Sequence, residues 1–313
     1  MINDVVLKLS GINMTNSTEI AVKSVILASA PERNVELLKM WEDFQPNFQM
    51  ANDKPGFTLE AGSFGLIIFD HKTMCQIWLL GFSAQHTFNL YLTDLYFYQA
   101  TQLLFSPTQI FTNEVEAKVT EVYGLIEELR EHESIDSFEW PSNIPSPYNG
   151  KPQDVNGSMV FDLLCIASAY CFLHEFRHVQ IRKSEISLDI HDEEYQCDKF
   201  ARDFLISQIG EYAENSGYDT NTLKNKRLMA IALAAVLLFV ITPEDLWDGS
   251  ETHPPVANRI EELTKNVTIG DNDYFWAYLS SLLLSLLLTK KKSIPSTQIY
   301  SQRNYCMNLL SLF

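Results

Sequence analysis

Two histidines four residues apart, His174 and His178, bracket Glu175, Phe176 and Arg177 inside an apolar stretch running from Phe161 to Ile181. Residues spaced by four share one helical face, with Cβ atoms about 5–6 Å apart, so both imidazoles can meet a single metal ion. Glu175 points to the side, where it can take a proton from a water held at that ion. The chemistry this HExxH spacing serves is metal-assisted hydrolysis, with Zn2+ as the expected ion and Glu175 as the catalytic base.

A catalytic zinc takes three protein ligands and keeps one position open, so two histidines do not suffice. Downstream lies an acidic helix start, Asp192-Glu193-Glu194-Tyr195-Gln196-Cys197-Asp198. Glu194 and Asp198 are four apart and face the same way. Glu194 is the expected third ligand, and Asp198 the acceptor for a ligand histidine's other ring N–H, a contact that fixes tautomer and orientation. Glu193, about 100° round the same helix, and His191, three residues before Glu194, are the rival ligands. The plainer reading of these carboxylates is a solvated first turn favoured by the helix dipole. A metzincin needs a histidine six residues after His178; Ser184 stands there, which excludes that class. A third segment, Thr252-His253-Pro254-Pro255 with Arg259-Ile260 beyond it, places His253 at a loop–helix junction because proline suits a helix's first turn. His253 is either a donor to a developing oxyanion or a surface histidine opening a helix.

HExxH, then ExxxD, then THPPxxxRI resembles the gluzincin pattern of HtpX-type and CAAX-prenyl endopeptidases. Closer in texture is the prophage-encoded phage-exclusion (Lit-like) peptidase family, with an HExRH-type helix and an E-x-x-C-D-x-F-A segment. Here these are His174 to His178 and Glu194-Tyr195-Gln196-Cys197-Asp198-Lys199-Phe200-Ala201. The resemblance spans roughly residues 159–262. It implies a zinc endopeptidase with His174, His178 and Glu194 as ligands, Glu175 as base, Asp198 as the orienting acid and His253 as an auxiliary group. The Lit-like family further implies elongation factor Tu as substrate and antiviral defence as role. The ImmA-type peptidases share the ExxxxxFA texture but not the THPP segment. HtpX-type proteins carry full-length membrane spans that this chain lacks.

The elements that must position these residues divide at Trp140 to Pro152, where four prolines interrupt any helix or central strand. Residues 1–140 read as a mixed α/β region, 141–155 as a linker, 156–292 as a helical metallopeptidase core and 293–313 as a partly ordered tail. The fold class expected is α+β: a mainly helical zincin-like core with a small N-terminal sheet. A hairpin is expected from Gly65–Asp70 and Cys75–Leu80, two β-branched and aliphatic runs joined by a polar turn, and its edge could hold an extended substrate. Helices are expected at 34–43, 85–104, 114–133, 159–183, 192–215, 220–241, 255–266 and 272–291.

A net charge of −17 over 313 residues argues against a nucleic-acid partner, since phosphates would be repelled; protein or peptide is the expected substrate. Five cysteines without a CxxC pair fit a reducing compartment, and Met1 to Ser10 lacks the pattern of a signal peptide, so a cytoplasmic location is expected. The apolar runs 228–242 and 274–289 fall short of the roughly 20 residues that span a bilayer. They read as core helices, with peripheral membrane contact through 274–292, anchored by Lys290 to Lys292, as the alternative. The competing function is a catalytically silent, zinc-stabilised scaffold whose acidic surface binds a partner. His71, His86 and His132 lie far upstream and read as structural or solvated.

Overall fold

The computed structural model describes residues 14–110, 113–265 and 267–313. In chain order the helices are α1 (Met14–Ser29), α2 (Asn34–Phe44), α3 (His71–Thr101), a single turn α4 (Pro107–Ile110), α5 (Asn113–Glu131), α6 (Val155–Lys183), α7 (Ile190–Ile206), α8 (Ile209–Ser216), α9 (Thr220–Ile241), α10 (Val256–Lys265), α11 (Tyr274–Thr289) and α12 (Gln302–Leu310). The strands are β1 (Asn47–Ala51), β2 (Leu59–Ala61), β3 (Leu66–Asp70), β4 (Leu104–Phe105) and β5 (Thr297–Gln298). The fold is α+β and mainly helical, with a small sheet, as its sequence suggests.

Helix α6 is the axis of the molecule. Asp154 caps it by accepting from Gly157 N, and Arg182 and Lys183 occupy its last turn, the charge placement a helix dipole favours. One face meets the sheet and α2: Phe172 lies edge-on to Phe48 and Phe69 of the sheet at 5.7 and 5.1 Å, and Phe176 to Trp41 of α2 at 5.5 Å. Its neighbours are α1, α3, α7 and α9, with β2 and β3 along its second half. By length and composition alone α6 could cross a membrane, yet 61% of that window is buried inside the protein.

The expected hairpin is corrected. Gly65–Asp70 does contribute β3, but Cys75–Leu80 lies within α3. Asp70 ends the strand and caps the helix by accepting from Thr73 N. Cys75, Ile77, Trp78, Leu79 and Leu80 are all buried, and a short run buried on every side shows no periodicity to separate helix from strand. The true partners of β3 are β1, parallel with Asn47 opposite Leu66, and the edge strand β2, antiparallel with Ala61 opposite Ile67.

A second difference concerns the span 192–215, which is two helices. Arg33 donates to the carbonyls of Asp203 and Phe204 and to Ser207 Oγ, which takes up the last acceptors of α7 and ends it. Residues 297–298 pair with β4, and α12 packs on α11 with Tyr305, Cys306 and Leu309 buried. Helix α11 is enclosed from Phe275 to Leu288, while Lys290 and Lys292 pair with Glu127 and Glu244.

Candidate metal centre

His174 and His178 lie side by side on α6, both buried, with their Nε2 atoms 3.2 Å apart. Two ring nitrogens at that distance need a proton or a cation between them. Each ring's other nitrogen has a carboxylate partner: His174 Nδ1 lies 3.0 Å from Asp198 Oδ1, and His178 Nδ1 lies 2.6 Å from Glu193 Oε1. A carboxylate accepts from Nδ1–H, so in the neutral tautomer each Nε2 presents its lone pair to the shared space.

The third group at that space is Glu194. Its Oε2 is 3.5 Å from His174 Nε2 and its Oε1 is 3.4 Å from His178 Nε2. For a four-coordinate ion with bonds near 2.0–2.1 Å, ligand atoms stand about 3.3 Å apart. The two Nε2 atoms at 3.2 Å have the spacing of two ligands of such an ion, and each lies 3.4–3.5 Å from a different oxygen of the Glu194 carboxylate, which would supply the third. The thiol of Cys197, one turn beyond Glu194 on α7, also comes within 4.8 Å of the histidine nitrogens, completing a buried His174–His178–Cys197 group able to hold a metal. Burial, with Glu194 and Asp198 beside it, pushes the Cys197 thiol far up.

Helix α7 delivers these groups because its N-terminus points at α6. Asp189 caps it, Glu193 and Glu194 fall in and just after its first turn, and Asp198 follows on the face of Glu194. From α10, Arg259 donates through Nε and Nη2 to Asp198 at 2.7 and 2.8 Å, and its Nη1 lies 3.0 Å from Glu194 Oε2. Tyr170, one turn before His174, donates to Asp198 Oδ1 at 2.9 Å. Glu175 reaches the opposite side, where its Oε2 accepts from Ala61 N of β2 at 2.7 Å.

The electrostatics favour a cation. Five carboxylates, Glu60, Glu175, Glu193, Glu194 and Asp198, line the cavity against two arginines, Arg182 and Arg259, a surplus of three negative charges with the histidines neutral. Burial would lower the proton affinity of His174, but Asp198 and Glu194 outweigh it and push the pKa up to about 10. Burial likewise works against the charged forms of Glu194 and Asp198, yet the histidines and Arg259 hold both carboxyls well below the usual range. Glu175 moves the other way: burial raises it, against the opposing pull of both imidazoles.

All of this opens into a cavity of about 500 Å³. Strand β2 forms one wall; Ala234, Leu237, Leu238 and Ile241 of α9 form an apolar wall; the loop before α10 closes the far end. His253 stands on that loop and lines the same cavity, its Nδ1 2.9 Å from Thr252 Oγ1. Gly249 permits the loop's turn at φ 101°, where a Cβ would meet Pro255 at 3.1 Å.

Each candidate residue thus has a place. His174, Glu175, His178, Glu194, Asp198 and His253 line one cavity. Glu193, the rival ligand, binds the back of His178, and the His191 ring turns to Ser250 O at 3.0 Å. His132 lies against Ser137 and His71 against Tyr148, outside the cavity. Sequence reasoning assigned no role to Arg259, Tyr170 or the Ala61 N–H. Arg259 stood in the THPPxxxRI segment, but spacing alone does not show that a lone arginine will be buried against two carboxylates.

Buried histidines with paired carboxylates, an acid of raised proton affinity and a cleft open to solvent are the equipment of a hydrolase. The family model Peptidase U49 matches residues 67–279, and the chain belongs to this peptidase family. No curated protein and no solved structure matches the chain. The matched span contains every residue of the centre on α6, α7 and α10, and leaves out β1 and β2.

Proposed function

We propose that the protein is a zinc-dependent endopeptidase of gluzincin type, with His174, His178 and Glu194 as ligands. The observation that carries this reading is the pair of imidazole Nε2 atoms 3.2 Å apart, each 3.4–3.5 Å from its own oxygen of the Glu194 carboxylate, with both imidazoles held from behind by carboxylates. A histidine and carboxylate set of this size suits zinc. Such an ion lowers the pKa of a coordinated water and polarises a carbonyl oxygen.

The chain's own residues supply the rest. Asp198 and Glu193 hold His174 and His178 in the tautomer that leaves Nε2 free to bind. Arg259 neutralises part of the carboxylate charge and fixes both Asp198 and Glu194. Glu175, with its raised proton affinity, takes a proton from the attacking water and passes it to the leaving amine. His253, on the far side of the cleft, donates to the oxyanion of the tetrahedral intermediate. The apolar wall of α9 seats an apolar side chain of the substrate beside the scissile bond.

The proposed substrate is a cytoplasmic protein. The sequence resemblance to phage-exclusion peptidases makes elongation factor Tu the first to assay and antiviral defence the proposed role. Metal analysis of the purified protein, followed by incubation with elongation factor Tu and with dye-labelled casein, tests the reading. One zinc per chain and cleavage that chelator abolishes and zinc restores are expected. A metal-free protein, or cleavage indifferent to chelator, refutes it.

A further inference from the structure

Strand β2 and helix α6 are tied at one residue. Ala61 N donates to Glu175 Oε2 at 2.7 Å, and the carbonyl of the same residue accepts from Arg182 Nη1 at 2.7 Å. The same Nη1 also reaches Gly62 O at 2.9 Å. In the pairing of β2 with β3, Gly62 N donates to Leu66 O, so the alternate residue Ala61 turns its N–H and C=O away from β3. Left to itself this would be an open strand edge facing the cleft. Instead, both polar groups of Ala61 are bound by side chains of α6.

The helix geometry explains how. Glu175 and Arg182 are seven residues apart, two turns, or about 10 Å along the axis. Side chains on a helix lean toward its N-terminus, so the long arginine reaches back while the shorter glutamate stays near its own turn. Both arrive at a single peptide residue. Arg182 is exposed, so packing does not hold it there; two successive carbonyls do.

We propose that Arg182 is a positioning residue for the reaction assigned above. By gripping the carbonyls of Ala61 and Gly62 it sets the edge strand so that the Ala61 N–H holds Glu175 in line with the centre formed by His174, His178 and Glu194. Arg182 lines the cavity beside β2, but its Nη1 is taken by the carbonyls of Ala61 and Gly62, and it acts through β2. This rests on the endopeptidase reading, but the contact itself does not, and the two can be tested apart.

The test uses the full chain loaded with zinc and labelled with [15N]alanine, in wild type, Arg182→Ala, Arg182→Lys and Glu175→Ala. Hydrogen exchange at the Ala61 amide is measured alongside kcat and KM for cleavage of dye-labelled casein. Glu175→Ala removes the acceptor and speeds Ala61 exchange about tenfold or more. Arg182→Ala is expected to speed it comparably, although the acceptor is still present, and to lower kcat by roughly 10²-fold with KM and zinc content unchanged. Arg182→Lys, whose ammonium can still reach a carbonyl, restores most of both. Ala61 exchange in Arg182→Ala equal to wild type overturns the proposal, whatever the kinetics. So does a rise in KM with kcat intact, which would make Arg182 a substrate-binding cation. If wild type cuts no casein, the endopeptidase reading is what loses support, and the exchange measurement still decides whether the clamp exists.

Discussion

At the scale of single residues, the centre is governed by charges removed from water. Asp198 and Glu194 are buried beside Arg259, and a buried ion pair stripped of one partner costs about 3–5 kcal/mol because the other charge stays behind unpaired. Arg259→Leu should therefore lower the thermal midpoint markedly and weaken metal retention. Arg259→Lys should recover only part, since an ammonium cannot make the two-pronged contact with Asp198. A calorimetric scan of both variants checks this, and an unchanged midpoint for Arg259→Leu would contradict it. Histidine spacing announced itself in the sequence because i and i+4 must share a face. The carboxylates followed from the same rule on the next helix. What spacing could not say is which of two adjacent acids turns inward; in the structure Glu194 lies at the shared space and Glu193 behind His178.

At the scale of elements, the site depends on how α3 crosses α6. Gly81 faces α6 at close range: a Cβ there would lie 2.5 Å from Leu164 Cδ2. Alanine gains up to about 1 kcal/mol of helix propensity over glycine, but overpacking a filled core costs about 1–3 kcal/mol. Leu164 is buried and has little room to retreat, so the clash wins. Chemical denaturation of Gly81→Ala should show a loss of roughly 1–2 kcal/mol. In a Leu164→Ala background the same change should cost less or become favourable, and strictly additive effects would contradict the contact. Most of the helices from residue 113 on were legible from their apolar spacing, whereas α1 was not expected, α3 begins at His71 rather than at residue 85, and 192–215 divides into two. The sheet was not legible. Strand β2 is three residues long, β1 pairs across a gap in sequence, and Cys75 to Leu80 is apolar on all faces within a helix. A run like that carries no period, and only its cap at Asp70 distinguishes it.

At the scale of the whole molecule, a metal that binds the folded chain and not the unfolded one adds stability by mass action. At free zinc one hundred times the dissociation constant this amounts to about 2.7 kcal/mol, which moves the midpoint of a chain this size by several degrees. Chelator should lower the midpoint accordingly, and His178→Ala should lose that chelator sensitivity. An identical midpoint with and without chelator in wild type would mean that no metal is bound. The acidic surface belongs to this scale too. A chain of net charge −17 lines its cavity with five carboxylates and two arginines, and a dication offsets most of that local surplus.

The account stands most directly on Glu175. The carboxylate is assigned proton transfer and no part in holding metal, so Glu175→Gln keeps the shape, the Ala61 contact and the ligands while removing the base. Mapping new protein N-termini by mass spectrometry, in cells expressing wild type or Glu175→Gln, is the decisive comparison. The account predicts cleavage products with wild type, a loss of about 10²–10⁴-fold with Glu175→Gln, and one zinc per chain in both proteins. Equal cleavage by Glu175→Gln, or the same biological effect with no cleavage by either, would contradict it.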